Sequence, residues 1–160
     1  MRKYILISLF VGLMASGVAY AAPGAEIFAG YQFTHFDGGV NANGWNAALT
    51  GKFNSFFGIT GDFSGAYKSG VKWHSYTFGP QVSVPLPIIR PFGHALFGGM
   101  TASGGGGSST AFDTMLGGGL DTGHGMFAWR LVQVDWIILH NSGVTDKKNT
   151  RVCTGLVLNF

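Results

Sequence analysis

The sequence predicts an all-β fold, an eight-stranded antiparallel up-and-down transmembrane β-barrel. Segments of about ten residues alternate between apolar side chains and polar or small ones, as in strands that cross a bilayer with one face toward lipid. Charged residues make up 11% of the chain, against about 25% in ordinary soluble domains. The last predicted strand finishes on an aromatic residue, Phe160, without a polar tail.

The first 21 residues are typical of a secretory signal peptide. A basic start, Arg2 and Lys3, is followed by an apolar run over 4–14 and by small residues. A transmembrane anchor is the alternative, but the run is shorter than the ~20 residues that a spanning helix needs. We therefore expect residues 1–21 to be removed and residues 22–160 to form one barrel domain.

The charge balance gives no reason to expect a nucleic-acid partner. The formal net charge of +3 includes Arg2 and Lys3, and removing these two from the ten basic residues leaves eight against seven acidic ones. The largest basic cluster is the pair Lys147 and Lys148. The single cysteine, Cys153, permits no internal disulfide, and we interpret it as a small packing residue in a strand.

The first four predicted strands alternate regularly. The apolar positions, which we expect to face lipid, are Ile27, Ala29, Tyr31 and Phe33, then Trp45, Ala47, Leu49, Gly51 and Phe53, then Phe57, Ile59, Gly61 and Phe63, then Tyr76, Phe78, Pro80, Val82 and Val84. The opposite positions are mostly small or polar: Phe28, Gly30, Gln32 and Thr34, then Asn46, Ala48, Thr50, Lys52 and Asn54, then Gly58, Thr60, Asp62 and Ser64, then Ser75, Thr77, Gly79, Gln81 and Ser83. Pro80 weakens the fourth strand, because proline cannot donate to a sheet ladder.

The next three strands are less regular. Residues 90–100 carry an aromatic residue and a glycine on both faces, and we place His94 inward. The sixth strand sets Phe112, Thr114, Leu116 and Leu120 against Asp113, Met115, Gly117 and Asp121. The seventh sets Val132, Val134, Trp136 and Ile138 against Leu131, Gln133, Asp135 and Ile137. Arg130 then falls on the apolar face, where we expect it at the membrane rim with its stem reaching the headgroups.

The eighth strand and the connections decide the topology. Val152, Leu156, Leu158 and Phe160 form one apolar face, and this strand must pair with the first, because unpaired backbone groups in lipid are costly. Four connections are predicted to be long polar loops, residues 37–43, 65–74, 101–110 and 140–149. Three are predicted to be shorter, around Ser55, between Val84 and Ile89, and over residues 122–125. Short turns at one end and long outward loops at the other are typical of bacterial outer-membrane barrels.

The last strand carries a family resemblance. Gly155, Leu158 and Phe160 match the C-terminal assembly signal of bacterial outer-membrane barrels, although Cys153 stands where that signal usually has a polar residue.

From about residue 26 onward the chain resembles the eight-stranded outer-membrane barrels related to the OmpA transmembrane domain. The likeness is clearest in VQVDW over 132–136 and NTRVCTGLVLNF over 149–160. It implies export and insertion by the outer-membrane barrel assembly machinery. It also implies contact with outer-membrane lipid and lipopolysaccharide, and residence in the outer membrane of a Gram-negative-type bacterium.

The lumen is expected to be closed. The interior of an eight-stranded barrel is just wide enough to be filled by side chains, which excludes a wide pore. Inward charges are predicted at Lys52, Asp62, Asp113, Asp135 and Arg151. Because isolated buried charges are costly, they should either pair into a polar plug with Gln32, Thr50 and Gln133 or face lumen water.

The function favoured by these patterns is that of a small monomeric barrel of structural or interaction type, without enzymatic activity or a cofactor. One alternative is a lipid A-modifying enzyme, because His140, Asn141 and Ser142 resemble the His-x-Ser of a deacylase type. No Glu follows Ser142, however, and Asp146 is a poor substitute. Another alternative is a soluble lipocalin-like barrel with its apolar face inward. The five histidines lack metal-ligand spacing, so no metal site is expected.

Overall fold

In the computed structural model, residues 24–160 form a closed antiparallel barrel of eight strands in sequence order, which confirms the predicted fold class. The strands are β1 (Gly24–Phe36), β2 (Val40–Lys52), β3 (Phe57–Lys68), β4 (Val71–Ser83), β5 (Ile89–Gly104), β6 (Gly107–His124), β7 (Phe127–Asn141) and β8 (Val144–Asn159). The structure describes residues 24–160, and the expected signal peptide lies outside them. No helix within these residues is long and apolar enough to span a membrane.

The apolar face of the strands points away from the lumen. Leu49 and Phe63 are each 55% exposed and Phe78 is 62% exposed, whereas the neighbouring Asp62 is 1% exposed. A continuous outer wall of large apolar side chains suits lipid rather than water. A lipocalin-like barrel would require the reverse arrangement.

Aromatic side chains mark one interface of this wall. Tyr31 and Trp45 lie opposite each other on β1 and β2, and Trp136 lies on β7, all on the outer surface. The Tyr31 hydroxyl donates to Asn43 Oδ1 at 2.5 Å, and the Trp136 indole donates to the Lys147 carbonyl. Their polar ends are thus satisfied by the hairpins beyond the apolar band, as expected of an aromatic girdle.

The four connections predicted as long loops are instead continuous β-hairpins, so that prediction was wrong. The links between paired strands are residues 37–39, 69–70, 105–106 and 142–143. In Ser69–Gly70 and Ser142–Gly143 both residues have positive φ, the arrangement of a two-residue turn that matches the twist of the flanking strands. The polar Ser- and Gly-rich segments therefore pair with each other above the membrane.

We call the end of the barrel with these four turns the hairpin end and the opposite end, which holds Phe160, the terminal end. Nine of the fifteen charged residues within 24–160 point into the lumen or its terminal mouth. The other six all lie at the hairpin end: Asp37, Lys68, Lys72, Asp146, Lys147 and Lys148.

The seam between β1 and β8 closes the barrel. Gly30 is paired with Gly155, and the two backbones approach so closely that a Cβ on Gly155 would lie 2.3 Å from the Ala29 carbonyl oxygen. Phe160 continues the seam, since its N–H donates to the Ala25 carbonyl at 2.8 Å and its carbonyl accepts from the Ala25 N–H at 3.2 Å. The last residues therefore remove the edge that lipid would not tolerate.

Pro80 lies inside β4 with its ring on the outer wall. The β4–β5 register runs from Phe78 opposite Phe97 to Gln81 opposite His94, and Pro80 has no partner on β5 between them. The strand thus tolerates the missing N–H as a short gap in one ladder.

A β-bulge in β7 overturns the predicted position of Arg130. Arg130 is paired with Gly155 and Gln133 with Cys153, so β7 contains one more residue than β8 between these two pairs. Leu131 and Val132 consequently both face outward, at 48% and 41% exposure, and Arg130 is buried inside at 2%. The prediction assumed unbroken alternation, which a bulge interrupts.

Candidate functional site

The lumen is filled by hydrogen-bonded charged side chains that form two clusters. We call Asp62, His94, Asp135 and Arg151 the central cluster. We call Glu26, Lys52, Arg90, Asp121 and Arg130 the terminal cluster. The structure thus places Asp62, Asp135 and Arg151 together, and it places Lys52 in the other cluster.

The central cluster is organised around Arg151, which has no exposed surface. Its Nη1 and Nη2 donate to the two carboxylate oxygens of Asp62 at 2.8 and 3.1 Å. Its Nε donates to Asp135 Oδ2 at 2.7 Å, and His94 Nε2 lies 2.7 Å from Asp135 Oδ1. The attraction between these paired and hydrogen-bonded charges offsets the desolvation penalty that would make an isolated buried ion strongly unfavourable.

His94 faces the lumen, as the sequence predicts, and supplies a partner that the sequence did not identify. Side chains from β3, β5, β7 and β8 therefore meet at the barrel axis.

Asp113 does not join either cluster. It is fully buried, and its Oδ2 accepts a hydrogen bond from the Ser75 hydroxyl at 2.8 Å. Its Oδ1 has no hydrogen-bond partner. Of the other residues expected in a plug, Gln32 donates to the Thr34 hydroxyl at 3.0 Å. The hydroxyl of Thr50 lies 2.8 Å from that of Thr60.

Arg130 holds the terminal cluster together. Its Nε donates to Asp121 Oδ1 at 2.7 Å, and its Nη2 donates to Glu26 Oε1 at 2.9 Å. The guanidinium lies between two aromatic rings, 4.4 Å from the centroid of Phe28 and 4.1 Å from that of Phe92. A planar cation that stacks on both faces and forms hydrogen bonds along its edge fits this slot, which an ammonium group would not.

Two further cations extend this cluster to the mouth of the barrel. Arg90 Nη2 lies 2.7 Å from Glu26 Oε2 and 2.9 Å from Asp121 Oδ2. Lys52 Nζ lies 2.9 Å from Glu26 Oε2 and 3.2 Å from Asn159 Oδ1. Their side chains are 20% and 19% exposed, so they form the wet rim of a cluster whose acids are buried.

Gln133 joins the two clusters. Its Oε1 accepts from Arg130 Nη1 at 2.7 Å, and its Nε2 donates to Asp135 Oδ2 at 2.8 Å. An unbroken chain of hydrogen bonds therefore runs from Glu26 through Arg130, Gln133 and Asp135 to Arg151 and Asp62.

Sequence reasoning missed the part played by Glu26, Arg90 and Arg130. The available signal was charge balance: alternation set Asp121 opposite the apolar face of the sixth strand, but Asp121 was left out of the predicted inward charges, although a buried acid there needs a cation near the terminal end. Arg90 lies in the fifth strand, whose facing the sequence left ambiguous. Arg130 was assigned to the outer face because alternation does not reveal the bulge that turns it inward.

The lumen opens into a cavity at each end. The terminal cavity has a volume of about 340 Å³ and is lined in part by Lys52 and Arg90. The cavity at the hairpin end measures about 230 Å³ and is lined in part by Trp73 and Leu139. The two share no lining residue, and the fully buried Arg151 lies in the lumen between them.

The residues of the His-x-Ser segment are not brought together as a catalytic group. The Ser142 hydroxyl donates to Asn141 Oδ1 at 3.1 Å. The His140 ring lies on the outer wall beside Phe112, with 6.3 Å between centroids, whereas Asp146 lines the inner mouth. Within residues 24–160 no three His, Cys, Asp or Glu side chains are grouped to hold a metal ion.

Comparison with known proteins shows similarity at the level of fold. No protein-family model matches the chain, and no curated protein matches it. Among solved structures, Ail, the attachment invasion locus protein of Yersinia pestis, is 20% identical with a TM-score of 0.54, over 86% of this chain and 99% of that one.

Two further solved structures superpose more closely. Neisserial surface protein A is 11% identical with a TM-score of 0.68, and the N-terminal barrel of Pseudomonas aeruginosa OprF is 10% identical with a TM-score of 0.62. Each match covers 86% of this chain and 97% of the other. The protein therefore has the fold of the small eight-stranded outer-membrane β-barrels, which confirms the expected likeness to the OmpA-like barrels at the level of fold.

Proposed function

We propose that the protein is a small, monomeric outer-membrane barrel of structural or interaction type, whose lumen is closed and whose hairpins contact other molecules. The observation that carries the proposal is the chain of buried hydrogen bonds from Glu26 to Asp62 across the lumen. An apolar outer wall with an aromatic girdle supports residence in a membrane.

The buried network argues against conduction. Arg151 and Asp135 have no exposed surface, and each is held by at least two partners at 2.6–3.1 Å. A hydrated ion would have to separate these pairs inside a low-dielectric wall, where an unpaired charge is strongly unfavourable. The network therefore serves as a plug that also ties together strands far apart around the barrel.

The hairpin end is the natural contact surface. Its four lysines exceed its two acids, Asp37 and Asp146, so it carries a net charge of +2. Such a surface suits the phosphates of lipopolysaccharide when this end faces outward. Ail, which shares the fold, has been solved in complex with the heparin analogue sucrose octasulfate, another polyanion.

Insertion by the barrel assembly machinery fits the terminal strand. Gly155 sits at the tight seam with Gly30, and Phe160 completes the pairing with Ala25. The three positions that resemble an assembly signal are Gly155, Leu158 and Phe160. All three thus lie on the last strand or at its end, at the seam with β1 that closes the barrel.

Single-channel recording tests the closed lumen. The purified full chain reconstituted in planar bilayers should show no sustained conductance, with a wide bacterial porin as the positive control for incorporation. Steady current steps from this protein would contradict the closed lumen and indicate a narrow channel.

Cell fractionation tests the membrane assignment separately. The protein should sediment with the outer membrane and change its gel mobility on heating, as folded barrels do. Recovery in the soluble periplasmic fraction would overturn the assignment.

A further inference from the structure

The cavity at the hairpin end has apolar walls. Trp73, Met100 and Leu139, from β4, β5 and β7, line it. Met100 belongs to a buried apolar cluster that includes Leu96 and Met115, both without exposed surface, and the other two pack against that cluster. This layer separates the cavity from the charged lumen below.

The indole of Trp73 is fixed in place. It stacks on Phe36 with 4.8 Å between centroids and 28° between ring planes. A tryptophan packed in this way offers an aromatic surface against which an apolar body or a second ring can pack.

Asp146 is the one charged residue among those that line the cavity. Ile137 is paired with Asn149 and Leu139 with Asp146, so β8 carries an extra residue here. This bulge turns Asp146 toward the mouth while Lys147 and Lys148 stay exposed. Asp146 accepts a hydrogen bond from the Lys148 N–H at 3.1 Å and, within residues 24–160, forms no ion pair with a lysine or arginine.

We infer that this cavity binds small organic amines that carry an aromatic or aliphatic body. A cavity of about 150 Å³ holds benzene, so about 230 Å³ accommodates a ring with a short side chain. The ammonium group would pair with the Asp146 carboxylate, and the apolar body would contact Trp73, Met100 and Leu139. This inference concerns the inside of the mouth and does not depend on what the outer surfaces of the hairpins contact.

Calorimetric titration of the full chain tests the inference. The protein is held in phosphatidylcholine nanodiscs, and 2-phenylethylamine is compared with its uncharged isostere 2-phenylethanol after subtraction of empty-nanodisc heats. The amine should bind about two- to fivefold more tightly, the advantage expected of one partly exposed ion pair in an apolar mouth. Absence of saturable binding, or equal affinity for the two probes, would overturn the inference.

Two matched substitutions locate the site. Asp146→Asn should remove the preference for the amine, whereas Asp37→Asn, which changes an acid at the neighbouring turn outside the cavity, should retain it. Ala111→Phe should fill the cavity and weaken both probes. An equal loss in Asp146→Asn and Asp37→Asn would indicate a diffuse surface potential and contradict the site. Asp146→Asn alters a mouth side chain alone, so the test stands even where Ala111→Phe does not fold.

Discussion

Arg130 shows why one residue type is required at one position in the lumen. Its guanidinium is stacked between Phe28 and Phe92 while its edge reaches Asp121 and Glu26. Lysine would keep the positive charge but lose both the planar stacking and the fixed fork of donors. Shape as well as charge therefore determines stability here.

Arg130→Lys should lower the free energy of unfolding by about 2 kcal/mol, the sum expected for a lost stacking contact and a lost charged hydrogen bond. Urea unfolding in detergent micelles, followed by tryptophan fluorescence, measures this change in the free energy of unfolding. Lys148→Arg, an exchange between the same two residues at an exposed site, is the control and should be neutral. Equal midpoints for the two variants would contradict the role assigned to the stacked guanidinium.

Substitution of Asp62 tests whether the ion pairs of the central cluster stabilise the barrel. Asp62→Ala leaves Arg151 with Asp135 as its remaining acid and removes the acceptor that Asn46 Nδ2 uses at 3.0 Å. Breaking a buried pair from one side should cost about 3 kcal/mol, seen as a lower temperature at which the folded band disappears on gels. Asp37→Ala removes an exposed acid and should change little. Unaltered heat resistance in Asp62→Ala would mean that the charges merely face water.

At the scale of elements, the seam between β1 and β8 depends on close backbone approach. A Cβ at position 155 would lie 2.3 Å from the Ala29 carbonyl oxygen and 2.4 Å from Gly30 Cα. A Cβ at Gly51, which is paired with Ala25 near the terminal end of the β1–β2 ladder, would meet no atom within 4 Å. Glycine is therefore required sterically at one of these two strand positions and not at the other.

Gly155→Ala should destabilise the barrel by about 2 kcal/mol, in the range of other overpacked sites, because β1 and β8 must separate. Gly51→Ala is the matched control and should be neutral or slightly stabilising. Thermal unfolding of both variants in the same detergent gives the comparison, and a stable Gly155→Ala barrel would show that the seam can relax.

The sequence predicts strand facing well wherever lipid imposes it. Leu49, Phe63 and Phe78 had to face outward because the bilayer accepts nothing polar there. The hairpins were predicted as loops because above the membrane both faces of a strand are wet, so alternation disappears while backbone pairing continues. The register break beyond Arg130 was equally hidden, since a bulge changes which face a residue occupies without changing composition.

The sequence predicts that charged side chains pair in the lumen, but it does not predict which acid pairs with which base. Buried acids at 62 and 135 demanded cations, and Arg151 was on the correct face. Which acid meets which base depends on strand stagger and on the bulge, and neither leaves a trace in residue spacing. The sandwich of Arg130 between Phe28 and Phe92 brings together three strands, so no local pattern reports it.

At the scale of the whole molecule, the charged hairpin end and the opposite terminal end predict one orientation in the membrane, with the hairpins facing outward. With the hairpin end outward, a cysteine in place of Ser142 should react with a membrane-impermeant maleimide on intact cells. A cysteine in place of Ser55, in the turn at the other end, should react after permeabilisation. The native Cys153 is 1% exposed, so it should contribute little background labelling in either experiment. The reverse labelling pattern would place the hairpins in the periplasm.

The collection of six charged side chains at the hairpin end has a consequence for how the barrel enters its bilayer. With that end outward, every one of them must travel through the acyl layer before the chain reaches its resting position. Four of the six are lysines, and a lysine on a barrel wall costs about 2–4 kcal/mol at the midplane. Spontaneous entry from the periplasmic side is therefore slow unless the bilayer is thinned. Refolding into short-chain phosphatidylcholine vesicles should therefore outpace refolding into long-chain ones, and a helper that thins the membrane would have its largest effect on the thicker of the two.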